Sequence, residues 1–458
     1  MSNENQEPIK IVIAGGGIIS ICTAYYLTFY NEYCKEENKK LIPKFDITII
    51  ERRSVACGAS GYAGGFMARD WCEGERSDPL VHQSYKLHQD LAKKFNGKDN
   101  YDFRQVETLE FIADNGKEEE KEQKKEEKDK GGENKKEIKT PPWVEAKISC
   151  KNVIGEIDAT AQMQPMKFCK FFLNKLEEKG VKFRIAEVSN VKYNDETKIY
   201  EGVYIKEQTY DKEGNNITKA DVKEEFIPSD ILILALGPWT FQANRWFPNQ
   251  MPKGFTGHKC QSYLVRPKKP ISDPQVYFIP IEKDGDPAVE IYPRPDGTVY
   301  ICSMASPEPF PRDEVEKLPF VSPTDQFYLE RQQKIVKELS ENGLNDSEIL
   351  EIHEATYLPV PPKNYLPVIG KLKEIKGLRE KNIPSSGVYI ASGHNYWGIM
   401  TATGTGLALA ELIILGKSEQ IDIRGLNPLR PGHEDEEDRK STRLNSSHCA
   451  LSRMPSSA

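Results

Sequence analysis

Three consecutive glycines, Gly15-Gly16-Gly17, follow an apolar run at residues 9–13 and precede a helix-like stretch at 18–30. Read as Gly15-x-Gly17-x-x-Ser20, the triplet is close to the fingerprint that binds the pyrophosphate of a dinucleotide. Gly15 permits the tight turn, and Gly17 lets the backbone approach a phosphate with no Cβ in the way. The N–H groups of Ile18 and Ile19 at the helix start then offer hydrogen bonds and a positive dipole end. Ser20 replaces the usual third Gly or Ala; it is small enough to fit, but its hydroxyl needs a partner. A second apolar run at 45–50 ends in Glu51-Arg52. An acid there accepts from ribose hydroxyls and favours a free 2′-hydroxyl. An ordinary glycine-rich turn would give the same triplet. The strand before it, the helix after it and the acid at the next strand end count against that reading.

Other side chains with chemical potential lie far along the chain. Arg69 and Arg294 are candidates to hold a substrate carboxylate through a bidentate fork, each weighed against a plain surface arginine. His394, in Ser392-Gly393-His394-Asn395-Tyr396-Trp397-Gly398, is a candidate polar contact to a cofactor or a histidine satisfied by backbone groups. His258 is open to two readings, a residue lining the substrate side or, preferred, one on the surface. No Ser/His/Asp order and no metal-ligand spacing is apparent.

These residues need a scaffold. Strand, glycine turn, helix, strand opens a doubly wound α/β domain, and the polar stretch 31–44 is a long connection within it. Further strands are expected at 181–188, 231–236 and 388–391. Amphipathic or apolar helices are expected at 166–176 and 402–415, and a charged one at 325–340. The segment 115–139 is dominated by Lys and Glu and reads as a solvated insertion. The tail after 441 breaks in composition and reads as non-native.

With 458 residues, 38% of them hydrophobic, the chain can build two domains or one large domain with an insertion. A net charge of -7 gives no general attraction to phosphate backbones, so nucleic acid is not an expected partner. Apolar runs such as 231–236 fall short of a membrane span. Nine scattered cysteines without a CxxC pair suggest a reducing compartment, and the cytoplasm is the expected location.

Several segments resemble the D-amino-acid-oxidase-like flavoproteins, the group that contains glycine and sarcosine oxidases. They are Ala56-Cys57-Gly58-Ala59-Ser60-Gly61-Tyr62-Ala63-Gly64-Gly65-Phe66, then Leu234-Ala235-Leu236-Gly237-Pro238-Trp239. The proline-rich pair Thr356-Tyr357-Leu358-Pro359-Val360 and Leu366-Pro367-Val368-Ile369-Gly370 follows, and the closing segment runs from Ser392 through Leu412. The resemblance spans roughly residues 9–415 and is closest to a little-characterised eukaryotic branch. It implies FAD, wrapped by the small-residue loop (Ser60, Gly64, Gly65) and met by Val188, Gly237 and Trp239. The late segment (Gly393, His394, Trp397, Gly398) would face the isoalloxazine, with Trp397 packing on it.

The resemblance also implies an α/β (α+β) fold: a doubly wound Rossmann-like FAD-binding domain with an interleaved antiparallel-sheet substrate domain. The FAD-binding parts would be 1–78, 161–253 and 355–430. The substrate parts would be 79–160, with a disordered charged loop at 115–140, and 254–354; 431–458 would be a disordered tail. The implied reaction moves a hydride from a C–N bond of an amino acid or related amine to flavin N5. Ala355 stands where sarcosine-oxidase-like members carry the flavin-linking cysteine, which implies non-covalent FAD. Trp397 stands where they carry an oxygen-activating lysine, which leaves dioxygen and other electron acceptors both open. Two alternatives remain: a dehydrogenase of a C–OH bond in a hydroxy acid or glycerol phosphate, and a non-catalytic FAD-containing trafficking or interaction protein.

Overall fold

Alternation along β1 (Ile9–Ala14) divides the chain's largest sheet into two packed faces. Ile9, Ile11 and Ile13 join one buried cluster, and Val12 and Ala14 join another. A strand buried on both faces reads as a continuous apolar run, which is why its sequence signal is strong. In this computed structural model the described residues are 7–113, 138–211, 216–219, 221–280, 288–304, 308–318, 323–362, 364–379 and 385–428. The tail 431–458 and almost all of the charged segment 115–140 lie outside them.

The first sheet has nine strands. At its centre β2 (Phe45–Glu51), β1, Ile231–Leu234 and Gly387–Ser392 run parallel and side by side. Segments 14–17, 234–239 and 392–398 therefore leave the same edge of the sheet. The crossover between β1 and β2 is α1 (Ile18–Phe29). The 31–44 connection holds two short 3₁₀ turns, Tyr30–Glu32 and Glu36–Leu41.

One face of the sheet is covered by α1, by α2 (Asp78–Lys94), by Pro165–Glu177 and by the last helix, Gly398–Leu415. The other face is covered by the long hairpin Lys182–Asn194/Ile199–Glu207 and the 3₁₀ segment Gly237–Arg245.

The last helix is long and apolar enough to cross a membrane by length and composition alone, a signal that a search for unbroken apolar runs overlooks. Its apolarity is explained by packing. A Cβ on Gly406 would meet the Cys22 carbonyl carbon and oxygen of α1 at 2.6 Å, and one on Gly404 would meet Ser84 Oγ of α2 at 2.2 Å. Two glycines thus let the helix lie directly on its neighbours.

The second sheet has eight strands. The order is Glu348–Ile352, Thr256–Arg266, Val299–Met304, Val289–Pro293, Gln275–Ile279, Glu107–Ala113, Ile148–Gly155, with Thr356–Val360 also paired to Thr256–Arg266. All its pairings are antiparallel except Gln275–Ile279 with Glu107–Ala113. The charged helix, Gln326–Leu339, packs on this sheet's core and is capped by Asp325, whose side chain accepts the Tyr328 N–H. Thr160–Gln162 forms a small third sheet with Phe66–Ala68 and Arg104–Gln105.

Candidate active site

The common edge of the parallel strands opens into a cleft of about 490 Å³, within the roughly 300–1,000 Å³ usual for ligand sites. It joins the early glycine turn to the late Ser392–Ile399 stretch. Of the residues singled out in sequence, Gly15, Gly17, Ile18, Ile19, Glu51, Arg52, Ser60, Val188, Gly237, Trp239, His394 and Gly398 border it.

At the early end the backbone is shaped for close approach. Gly15 has φ +107°, and a Cβ there would lie 2.3 Å from the Ala235 carbonyl oxygen. Gly17 has an ordinary φ of -78°, so it is needed for space rather than for conformation. Among the described residues, chain neighbours aside, Ser60 Oγ is the one heavy atom close to its missing Cβ, at 3.1 Å. That hydroxyl accepts the Ile18 N–H at 3.0 Å, so the first N–H of α1 points into the cleft and already has an acceptor there, one that a phosphate oxygen would replace. Ser20 is buried behind the turn, and among the described residues its hydroxyl has no hydrogen-bond partner.

Glu51 holds the turn together. Its Oε2 accepts the Gly16 N–H at 2.7 Å and its Oε1 accepts the Arg53 N–H at 3.1 Å. Burial pushes its carboxyl above the usual range, and the backbone N–H bonds act against that shift. A carboxylate has about four acceptor sites, so capacity remains for ribose hydroxyls. Cys57 also donates to Glu51, and burial pushes its thiol up to about 12, so it stays protonated.

At the late end His394 is fully buried. Its Nε2 and Thr405 Oγ1 are 3.1 Å apart, and burial pulls it down to about 3, so the ring is neutral. The Ser392 hydroxyl donates to the Gly237 carbonyl at 2.9 Å and meets Thr240 Oγ1 at 2.6 Å, tying two strand ends together. Asn395 takes a left-handed conformation (φ +48°), and among the described residues its buried Oδ1 has no partner although the residue borders the cleft. The last helix begins there, with Gly398 and Ile399 on the cleft wall.

Other expected residues lie elsewhere, for identifiable reasons. Arg69 is outside the cleft: its Nε and Nη2 donate to Asp70 Oδ1 and Oδ2 at 2.6 and 2.8 Å, which uses the fork that a carboxylate would need. Trp397 is not among the residues that border the cleft, and its ring meets Trp71 edge-to-face at 6.4 Å. Gly64 makes room for the Tyr292 ring, and Gly65 (φ +81°) turns the loop against the Met163 carbonyl; both shape the loop without lining the cleft. Gly393 (φ +76°) packs on Pro361. His258 is buried rather than on the surface, and its Nδ1 lies 3.1 Å from the hydroxyl of Tyr396, which borders the cleft.

Arg294 is also off the cleft wall, with its guanidinium 5.1 Å from the Tyr300 ring centroid. It follows Val289–Pro293 in the second sheet. Tyr300 donates to the Tyr62 carbonyl, and the neighbouring Ala63 borders the cleft.

Some cleft residues gave no sequence signal. Tyr210 and Asn216 reach it from a bridge-paired excursion after Ile199–Glu207. Arg53 and Glu354 form an ion pair at 2.9 Å between segments 301 residues apart. Only Arg53, next to Glu51-Arg52, was within reach of sequence reasoning.

The residues present suit FAD: a Cβ-free turn, a helix N-terminus open to an acceptor, an acid at the second strand end and an orphan acceptor at the late end. Ala355 offers no thiol for covalent attachment. The fold and this cleft define a flavin-dependent oxidoreductase. The family model described as FAD dependent oxidoreductase (DAO) matches residues 10–412, so the chain belongs to that family.

A Schizosaccharomyces pombe protein bearing the name "Putative oxidoreductase C1F5.03c" is 27% identical over 431 residues, covering 92% of this chain and 97% of the relative. Glycine oxidase from Bacillus cereus superposes with a TM-score of 0.61 at 18% identity, covering 90% of this chain and 98% of its own. FAD-bound L-α-glycerophosphate oxidase from Mycoplasma pneumoniae gives 0.58 at 16% identity, with coverages of 90% and 95%. At such identities the superpositions establish the shared fold.

Proposed function

We propose that this oxidoreductase acts on a C–N bond of an amino acid or related amine, held beside non-covalent FAD. Bound flavin supplies the hydride acceptor. The chain must orient the substrate, keep the reacting amine neutral and exclude water. The observation that carries the amino-acid reading is Arg294. It is half-buried, and among the described residues no carboxylate comes within ion-pair distance of it; burial pulls its pKa down, against the more distant carboxylates of Asp296, Asp102 and Glu351. A partly desolvated guanidinium whose fork no carboxylate engages directly is costly, and a substrate carboxylate would supply that direct partner. Neutral His394 adds no competing positive charge at the late end. The likeness to glycine oxidase supports the same reading.

The second reading, oxidation of a C–OH bond, is favoured by the fold shared with the glycerophosphate oxidase. An anaerobic screen separates the two. Amino acids and amines on one side, and hydroxy acids and glycerol 3-phosphate on the other, are added to the yellow protein while flavin absorbance near 450 nm is followed. Bleaching by an amine supports the proposal; bleaching only by hydroxy compounds overturns it. Readmitting dioxygen then tells whether it serves as the electron acceptor.

A further inference from the structure

One face of the second sheet is turned toward the cleft. Leu358 borders the cleft and pairs across the sheet with His258, which reaches the cleft through Tyr396. Residues directly opposite one another, and those two apart along a strand, share a face. The face bearing His258 and Leu358 therefore also bears Cys260, Ser262, Cys302 and Glu290, through the pairs Ser262↔Cys302 and Glu290↔Cys302.

Glu290 is out of place on an interior wall. The Tyr292 hydroxyl and Cys302 Sγ (3.8 Å) both donate to its Oε2. Among the described residues no donor reaches Oε1, and no Lys, Arg or His lies within ion-pair distance. The side chain is half-buried. Burial raises its carboxyl because nothing positive offsets the lost hydration.

The rings nearby form a continuous aromatic group. Phe278 is the cross-strand neighbour of Glu290. Trp71 lies 5.6 Å from Phe278 and 6.4 Å from Trp397, and Phe66 lies 6.4 Å from Tyr292. Aromatic faces beside an unpaired carboxylate are the chemistry that recognises an organic ammonium ion. Four residues along from Glu290, Arg294 has no carboxylate within ion-pair distance among the described residues, and its guanidinium lies 5.1 Å from the Tyr300 ring centroid.

We infer that Glu290, walled by these aromatic rings, forms a subsite for an ammonium group of the substrate distinct from the amine that is oxidised. The reacting nitrogen must be neutral to give up a hydride from its carbon, and a carboxylate beside it would keep it protonated. The cation that Glu290 binds is therefore a second one, and the substrate class narrows to diamines and basic amino acids. This rests on the amine reading above.

The test uses the FAD-loaded protein and two probes of equal length, putrescine with two ammonium groups and 4-amino-1-butanol with one. Binding is read as perturbation of the flavin absorption spectrum, which needs no turnover. Wild-type protein is expected to bind putrescine at least ten times more tightly, and Glu290→Gln is expected to keep its FAD and bring the ratio close to one. A wild-type ratio near one, or an unchanged ratio in the variant, overturns the subsite. Should Glu290→Gln lose its FAD, Glu290→Asp replaces it, with a fall in the ratio of threefold or more expected and an unchanged ratio overturning the inference. Failure of the underlying reading looks different: no amine bleaches the flavin, whatever the binding ratio.

Discussion

Gly15 and Gly17 lie two residues apart in one turn, yet replacing them should fail in different ways. Gly17 already has a φ that any residue adopts, and its missing Cβ approaches only a rotatable serine hydroxyl at 3.1 Å. In the apo protein Gly17→Val should therefore cost little, about 1 kcal/mol, from a poorer helix N-cap and the shift of Ser60. With FAD the cost is larger. The new side chain stands where the pyrophosphate must approach the Ile18 and Ile19 N–H groups. Loss of two charge-assisted hydrogen bonds at roughly 1.5 kcal/mol each weakens binding about 100-fold.

At an FAD concentration 100 times the wild-type Kd, ligand stabilisation then falls from about 2.7 to about 0.4 kcal/mol. Gly15→Ala is the contrast. It forces a methyl group into φ +107° and to within 2.3 Å of the Ala235 carbonyl oxygen, so the apo protein itself loses roughly 2–4 kcal/mol. Urea unfolding with and without FAD, and FAD titration by fluorescence quenching, measure both. A Gly17→Val protein that retains stoichiometric FAD with wild-type affinity refutes the site. One whose apo form is as damaged as Gly15→Ala refutes the division of labour.

Three further outcomes follow from the packing. Gly406→Val should destabilise the protein by more than about 3 kcal/mol in urea, since the new atoms meet the α1 backbone, which cannot rotate aside. An unchanged midpoint would show that the last helix does not lie on α1. Ser20→Ala should raise stability by about 1 kcal/mol, because it removes a buried hydroxyl without a partner; a loss of that size would mean the hydroxyl is bonded. His88 donates from Nε2 to the Ile399 carbonyl at 3.0 Å, and burial pulls it down to about 4. Its folded pKa lies below its unfolded one, so between them the unfolded chain binds a proton that the folded chain does not. Stability therefore falls as pH drops from about 6.5 toward 4, by about 2 kcal/mol at pH 5. In His88→Gln the loss between pH 7.5 and pH 5 should shrink by that amount, and an unchanged loss would show that His88 is not the group responsible.

The elements legible in the sequence are those written locally. A strand buried on both faces, three glycines, a helix and an acid at the next strand end each carry their own pattern, and the structure brings them together as that pattern demands. Long-range meetings are not written this way. The Arg53–Glu354 pair and the arrival of Tyr210 depend on how distant segments pack, and neither residue's type announces it. Arg69 is legible as a candidate, but its sequence position does not show that the adjacent aspartate takes up its guanidinium fork. Trp397 was placed by resemblance, and the ring follows a nearer aromatic partner, Trp71. Glu290 offered no signal, because one acid in a β-strand reads as a solvent-facing residue until the second sheet is seen to face the cleft.

The most direct test of the account is the position of FAD in crystals of the loaded protein. The pyrophosphate is expected within hydrogen-bonding distance of the Ile18 and Ile19 N–H groups, with the isoalloxazine against His394 to Ile399 and its other face toward the Leu358 side of the second sheet. A flavin bound away from the glycine turn, or a ring that never meets the late segment, would contradict it.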